Sequence, residues 1–197
     1  MYGNSSNCIC KLVFLGNSGV GKTSLAFRWS SGTFSDLIKP TIGANHQRKT
    51  IDIGGSKIDL YVWDTSGQEQ FQSLTPLYVR SASVALIVAS INDMNSFDSI
   101  QVWLDLLANS CDNIPPAILA INKIDQEDLS VITKDQIEER FVNKFNSIFY
   151  VSAATGENVN NLFTQAAKVA YSFVKSIEIT DSKDISLQDK KNNRTCC

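Results

Sequence analysis

The sequence predicts an α/β protein with a mostly parallel, six-stranded sheet and helices on both of its faces. Three observations carry that expectation. Apolar, β-leaning runs alternate with helical stretches almost from the start of the chain. Two of the runs, residues 84–89 and 117–121, are continuously apolar, as central parallel strands covered on both faces should be. The 197 residues, 43% of them hydrophobic, suffice for one domain with its own core.

In chain order, residues 8–15 are apolar and break at Gly16, which reads as a buried strand. A helix is expected over 22–30. Residues 51–53 and 58–63 flank Gly54-Gly55, the signature of a hairpin with the glycine pair as its turn. A helix over 69–80 should lead to the strand at 84–89, and a helix over 96–109 to the strand at 117–121. Thr133 lies three residues before Gln136 and can open a helix over 133–146 with a capping box. A short strand at 148–151 and a helix over 159–174 complete a domain spanning 1–175. Residues 176–197 differ: four acids (Glu178, Asp181, Asp184, Asp189), four bases (Lys183, Lys190, Lys191, Arg194) and few large apolar side chains suggest a flexible tail.

Bulk properties narrow the function. A net charge of −2 provides no basic footprint for nucleic acid. No apolar run reaches the ~20 residues of a membrane-spanning helix, and the first ten residues lack a signal-peptide pattern. Gly3 does not follow Met1 directly, so no N-myristoylation motif is present. The five cysteines (Cys8, Cys10, Cys111, Cys196, Cys197) have no zinc-site spacing, and their odd number suits a reducing compartment better than a disulfide framework.

Residues 16–23, Gly-Asn-Ser-Gly-Val-Gly-Lys-Thr, match G-x-x-x-x-G-K-[ST] between a strand and a helix. That context predicts a P-loop NTPase fold. Amides of Ser18, Gly19, Val20, Gly21, Lys22, Thr23 and Ser24 can curl around α- and β-phosphates at the positive end of the helix. Lys22 should reach the β- and γ-phosphates, and the Thr23 hydroxyl should ligate Mg²⁺. This loop alone does not separate ATP from GTP.

Two later segments sharpen the chemistry. Asp64, just past an apolar strand, suits a magnesium role through a water. Gly67 allows its amide to approach a γ-phosphate, and Gln68 can orient an attacking water. Asn122-Lys123-Ile124-Asp125 follows the strand at 117–121. The Asp125 carboxylate can accept side by side from N1–H and the exocyclic amine of guanine, a pair that adenine lacks. Lys123 can lay its stem over the base, and Asn122 can tie its loop to the phosphate loop. Ser152, Ala153 and Ala154 can offer a backbone N–H to the guanine carbonyl. Thr41, in the loop before the hairpin, can close over the nucleotide as a second hydroxyl ligand to Mg²⁺. Phe34 packs edge-on against the base or simply into its own loop.

Over residues 8–175 these segments together resemble the Ras-like small GTPases, and most closely the Rab branch. Residues 63–69, Trp-Asp-Thr-Ser-Gly-Gln-Glu, are similar to the Rab segment W-D-T-A-G-Q-E, and residues 71–78 to the helix after it. Residues 41–44, Thr-Ile-Gly-Ala, resemble the first switch and lean toward the early-endosomal subgroup. The resemblance implies a GTP/GDP cycle with Mg²⁺ and loops ordered by the γ-phosphate. It also implies an exchange factor, an activating protein, effectors and escort or GDI-type prenyl-binding proteins. It implies geranylgeranyl groups on Cys196 and Cys197, and a monomer on the cytoplasmic face of endomembranes that cycles with the cytosol. Two lipids suit the physics, because one gives marginal binding. There are departures. His46 stands where Rabs usually carry a phenylalanine that packs with Trp63 and Tyr78, and it is expected to be partly buried and hydrogen-bonded. Ser66, Gln70, Val79, Ser81 and Ala154 also differ from the usual residues. Two rivals stand beside this reading: another phosphate-loop enzyme, and a non-hydrolysing module that keeps the fold.

Overall fold

A computed structural model describes residues 7–68 and 73–192, with side chains as far as 180. The six strands are β1 (Cys8–Leu15), β2 (Ala44–Ile53), β3 (Ser56–Thr65), β4 (Val84–Ser90), β5 (Ala117–Asn122) and β6 (Ser147–Tyr150). They lie in the order β2-β3-β1-β4-β5-β6. Only the edge strand β2 runs antiparallel, paired with β3 in a ten-residue register from Ala44↔Thr65 to Ile53↔Ser56. The other pairings are parallel. The expected mostly parallel six-stranded sheet is therefore present. Strand order reverses at β1, with β3 on one side and β4 on the other, so the carboxyl end of β1 is a switch point, where such sheets bind ligands.

The alternation of β1 divides the core in two. Cys10, Leu12 and Phe14 face Leu25 and Trp29 of α1 (Lys22–Ser31) and Phe163, Ala166 and Ala170 of α6 (Val159–Asn192). Phe163 stacks on Trp29 with ring centroids 4.3 Å apart and meets Phe14 edge-on at 6.0 Å. Val13 and Leu15 face the other layer, with Phe97 of α3 (Met94–Asp98), Ile100 and Trp103 of α4 (Ile100–Ser110), and Phe141 of α5 (Lys134–Phe141). All seven residues of β4 and all six of β5 are buried, which is why those runs are apolar without alternation.

Several boundaries depart from expectation. β2 is ten residues long although the sequence suggests three, because an edge strand with one exposed face tolerates Asn45, His46, Arg48 and Lys49. The hairpin turn has Gly54 at φ 60 and Gly55 at φ 86, the left-handed pair such a turn requires. Of the helix expected over 69–80, residues 69–72 lie outside the described set. The described part, α2 (Thr75–Val79), has Pro76 in its first turn, where its missing N–H costs nothing. The helix expected over 96–109 is two helices, α3 and α4, meeting at Ser99, whose hydroxyl donates to Asn95 O at 2.7 Å. α5 opens with the expected Thr133–Gln136 capping box but ends at Phe141. A 3-10 helix, Ile124–Leu129, follows β5. α6 runs to Asn192, beyond the expected end near 174; its buried residues stop at Ala170, and the partly buried ones that pack on the core layer of Phe14 and Phe163 stop at Val174.

Candidate nucleotide site

The phosphate loop spans from β1 to α1. Gly21 adopts φ 96 and abuts the Asn122 amide so closely that a Cβ there would collide with it, and a Cβ on Gly67 would collide with Lys22 Nζ and the Asn17 backbone. Those two glycines let three loops converge. Lys22 is 5% exposed and donates from Nζ to Gly16 O at 2.7 Å and Asn17 O at 2.8 Å. Burial pushes its pKa down to about 8, against the opposing pull of Asp64. Asn17 is in turn fixed from the far side of the sheet. Its amide donates to Ser99 Oγ at 3.0 Å, and its Oδ1 accepts from Trp103 Nε1 at 3.1 Å.

Thr41 is buried, and its loop closes onto the phosphate loop. The hydroxyls of Thr23 and Thr41 are 2.8 Å apart, and Thr41 donates to Asp64 Oδ2 at 3.2 Å. Asp64 Oδ1 is buried with no hydrogen-bond partner among the described residues. Burial raises the Asp64 pKa, while the Thr23 hydrogen bond, Lys22 and Thr41 work to lower it. Ser66 N–H donates to Gly43 O at 2.8 Å, tying the second loop to the first. Together Ser18, Ser24, Phe34, Gly67 and Gln68 help to line a cavity of about 310 Å³ around Lys22 and Thr23.

On the base side, Asn122 is 1% exposed and donates from Nδ2 to Val20 O at 2.8 Å. Its Oδ1 accepts from the Ala153 amide at 3.1 Å. One side chain thus locks the phosphate loop to the loop after β6. Lys123 has a left-handed φ of 66, which turns the chain out of β5. The exposed Asp125 accepts from the Ser152 hydroxyl through Oδ1. The structure therefore brings Asn122, Asp125, Ser152 and Ala153 together, outside the lining of the phosphate cavity. Cys196 and Cys197 lie outside the described residues.

Three contributors carry no motif signal of their own in the sequence: Asn17, the Ser99–Trp103 pair that holds it, and Arg28. Arg28 Nε donates to Ala153 O at 2.7 Å, Nη2 to Ala154 O, and Nη1 to Gly32 O at 3.0 Å. Its guanidinium lies 5.8 Å from the Phe34 ring. In sequence it looks like a basic residue matched to the end of a helix. His46 departs from its expected partly buried, hydrogen-bonded state. It is exposed and stacks on Trp63 at 5.7 Å, and Trp63 stacks on Tyr78 at 6.0 Å. Ser81, where Rabs usually have glycine, sits at φ 57.

A phosphate loop at the switch point, locked by a buried asparagine to a carboxylate-bearing loop after β5, defines a phosphate-loop nucleotide-binding protein. The Ras family matches residues 11–172. Ras-related protein Rab-13 of Bos taurus is 34% identical over 191 residues, 94% of each chain. Ras-related protein Rab-5B of Plasmodium falciparum is 35% identical over 176 residues, 88% of this chain and 84% of that one. Ras-related protein Rab5 of Nicotiana tabacum is 36% identical over 165 residues, 83% and 82% of the two chains. The chain belongs to the Ras family and, within it, to the Rab-type small GTPases. It binds guanine nucleotide, hydrolyses GTP, and acts as a switch in vesicle trafficking with regulators and effectors.

Proposed function

We propose that Lys22, Gln68 and the Thr23–Thr41–Asp64 cluster carry the GTPase chemistry, on the cytoplasmic face of endomembranes and the early endosome in particular. The observation that most supports the chemistry is that cluster: two hydroxyls 2.8 Å apart beside a buried carboxylate whose Oδ1 has no partner among the described residues. An orphaned buried acceptor among hydroxyl oxygens suits a hard divalent cation. Thr23 and Thr41 would hold Mg²⁺ directly and Asp64 through a water. When bound, the ion supplies positive charge against the β- and γ-phosphate oxygens.

Side chains and amides do the rest. The amides of residues 18–24 cradle the α- and β-phosphates. Lys22, steadied by two loop carbonyls, offsets the charge that develops on the β–γ bridge. Gly67 brings its amide to the γ-phosphate, and the Gln68 amide holds the attacking water in line. The water's oxygen bonds to the γ-phosphorus, the bond to the bridging oxygen breaks, and GDP and inorganic phosphate separate. No arginine lines the phosphate cavity among the described residues, so turnover is slow until an activating protein speeds it. Asp125 reads the N1–H and amine of guanine, Lys123 covers the base, Phe34 packs against it, and the 152–154 loop meets its carbonyl.

An exchange factor reloads the site, and effectors dock on the stack of exposed His46 with half-buried Trp63 and Tyr78, and on the two loops beside it. Residues 176–197 tether the domain to geranylgeranyl groups on Cys196 and Cys197, which escort and GDI-type proteins shelter. No helix among the described residues is long and apolar enough to cross a membrane. The central test is Gln68→Leu. It should leave GTP bound while single-turnover phosphate release slows by roughly a hundredfold, the cost of a misplaced reactant. Undiminished release would refute the role of Gln68.

A further inference from the structure

Arg28 belongs to none of the nucleotide motifs, yet it touches the base-side loop at two consecutive peptide groups. We infer that Arg28 is a positioning residue for guanine recognition, acting by aiming the Ala154 amide at the carbonyl oxygen of the base. The inference rests on the reading that the 152–154 loop meets that oxygen.

The geometry starts from the peptide plane. In a trans peptide the C=O of one residue and the N–H of the next point in opposite directions. There are no cis peptides among the described residues. Arg28 Nε holds Ala153 O at 2.7 Å, so the Ala154 N–H in the same plane is turned away from α1. The neighbouring amides are already engaged. Ser152 N–H donates to Glu157 O at 3.1 Å, Ala153 N–H to Asn122 Oδ1 at 3.1 Å, and Thr155 N–H to Ser152 Oγ at 3.0 Å. Within 152–155, the Ala154 N–H is the amide left without a partner among the described residues. A half-buried donor aimed outward from a pinned loop is what a carbonyl ligand needs.

The second peptide plane extends the same logic to Asp125. Arg28 Nη2 holds Ala154 O, which turns Thr155 N–H toward Ser152 Oγ. That hydroxyl donates to Asp125 Oδ1. A single guanidinium therefore orients both halves of the guanine reader: the amide for the carbonyl oxygen, and the serine that steadies the carboxylate. The planar fork is essential, because an ammonium cannot hold two successive carbonyls in fixed directions.

The test compares two ligands on the full-length protein: GDP and 6-thio-GDP, whose sulfur is a poor acceptor while N1–H and the amine are kept. Wild type should prefer GDP by roughly fivefold, the value of one hydrogen bond. Arg28→Ala should lose about tenfold in GDP affinity and bring the GDP to 6-thio-GDP ratio close to one. Arg28→Lys keeps the stem and charge and should lose the ratio as well, so the outcome does not hang on the alanine variant folding. If wild type discriminates and both variants keep its ratio, Arg28 is structural and the inference is overturned. If wild type shows no preference, the reading of the 152–154 loop fails first.

Discussion

The base side and the phosphate side of the site are built differently. On the base side, hydrogen bonds join residues 31, 102 and 125 positions apart, and the groups that make them are largely buried. On the phosphate side, the side chains of the closing loop are held by one hydroxyl pair and one carboxylate, across 18 and 23 positions, and its end by the Ser66 N–H on Gly43 O. Thr41 is buried there, but Ile42 beside it is 82% exposed and Leu37 is 89% exposed. The proposed base reader is an extension of the core. The loop that carries Thr41 rests on the phosphate loop and the end of β3 through three side-chain oxygens and one backbone bond. A protein that must keep its nucleotide while changing its surface needs that asymmetry, because low local stability is where movement is drawn from.

The largest expected effect tests the rigid half. Asn122→Ala leaves Val20 O and the Ala153 N–H unpaired in a buried place, which should cost about 3 kcal/mol of stability. GDP and a non-hydrolysable GTP analogue should be lost to the same degree, as read by equilibrium binding and thermal unfolding. A variant that discriminates between the two ligands would break the proposed division.

A smaller effect, far from either half, checks that nucleotide loss is not just global weakening. Thr133 caps α5 by accepting from Gln136 N–H at 3.3 Å, and Thr133→Ala should cost about 1 kcal/mol in denaturant unfolding. GDP dissociation should not change. Faster dissociation would mean that retention tracks overall stability, and the contrast between the halves would lose its meaning.

The same contrast explains what was legible in the sequence. β1, β4 and β5 were readable because burial on both faces demands apolar runs. β2 was not, since an edge strand can be charged throughout, and its ladder partner is set by the hairpin turn rather than by its own side chains. Lys22, Thr23, Asn122 and Asp125 announce themselves because their chemistry fixes their spacing. Arg28, Asn17 and Trp103 act through backbone carbonyls and side-chain amides brought together by the fold, and no spacing rule encodes such contacts. His46 differs from the sequence expectation for a related reason: among the described residues the lone imidazole meets an aromatic face rather than a hydrogen-bond partner.

The smallest effect on stability, and the most telling for the contrast, belongs to Thr41→Val. Valine keeps the shape of threonine but removes the hydroxyl that meets Thr23 and Asp64. Because the surrounding loop is exposed, it can lift away and let water reach the carboxylate, so the loss should stay below about 1 kcal/mol. GDP affinity should remain within about twofold of wild type, since no base-side contact is touched. Affinity for the GTP analogue should fall, because the γ-phosphate form is where the loop's closure is proposed to count. Amide hydrogen exchange over residues 34–43 should quicken in the variant while exchange over 117–122 stays slow. If GDP affinity instead drops as far as in Asn122→Ala, the two halves are one cooperative unit and the loop is no independent switch.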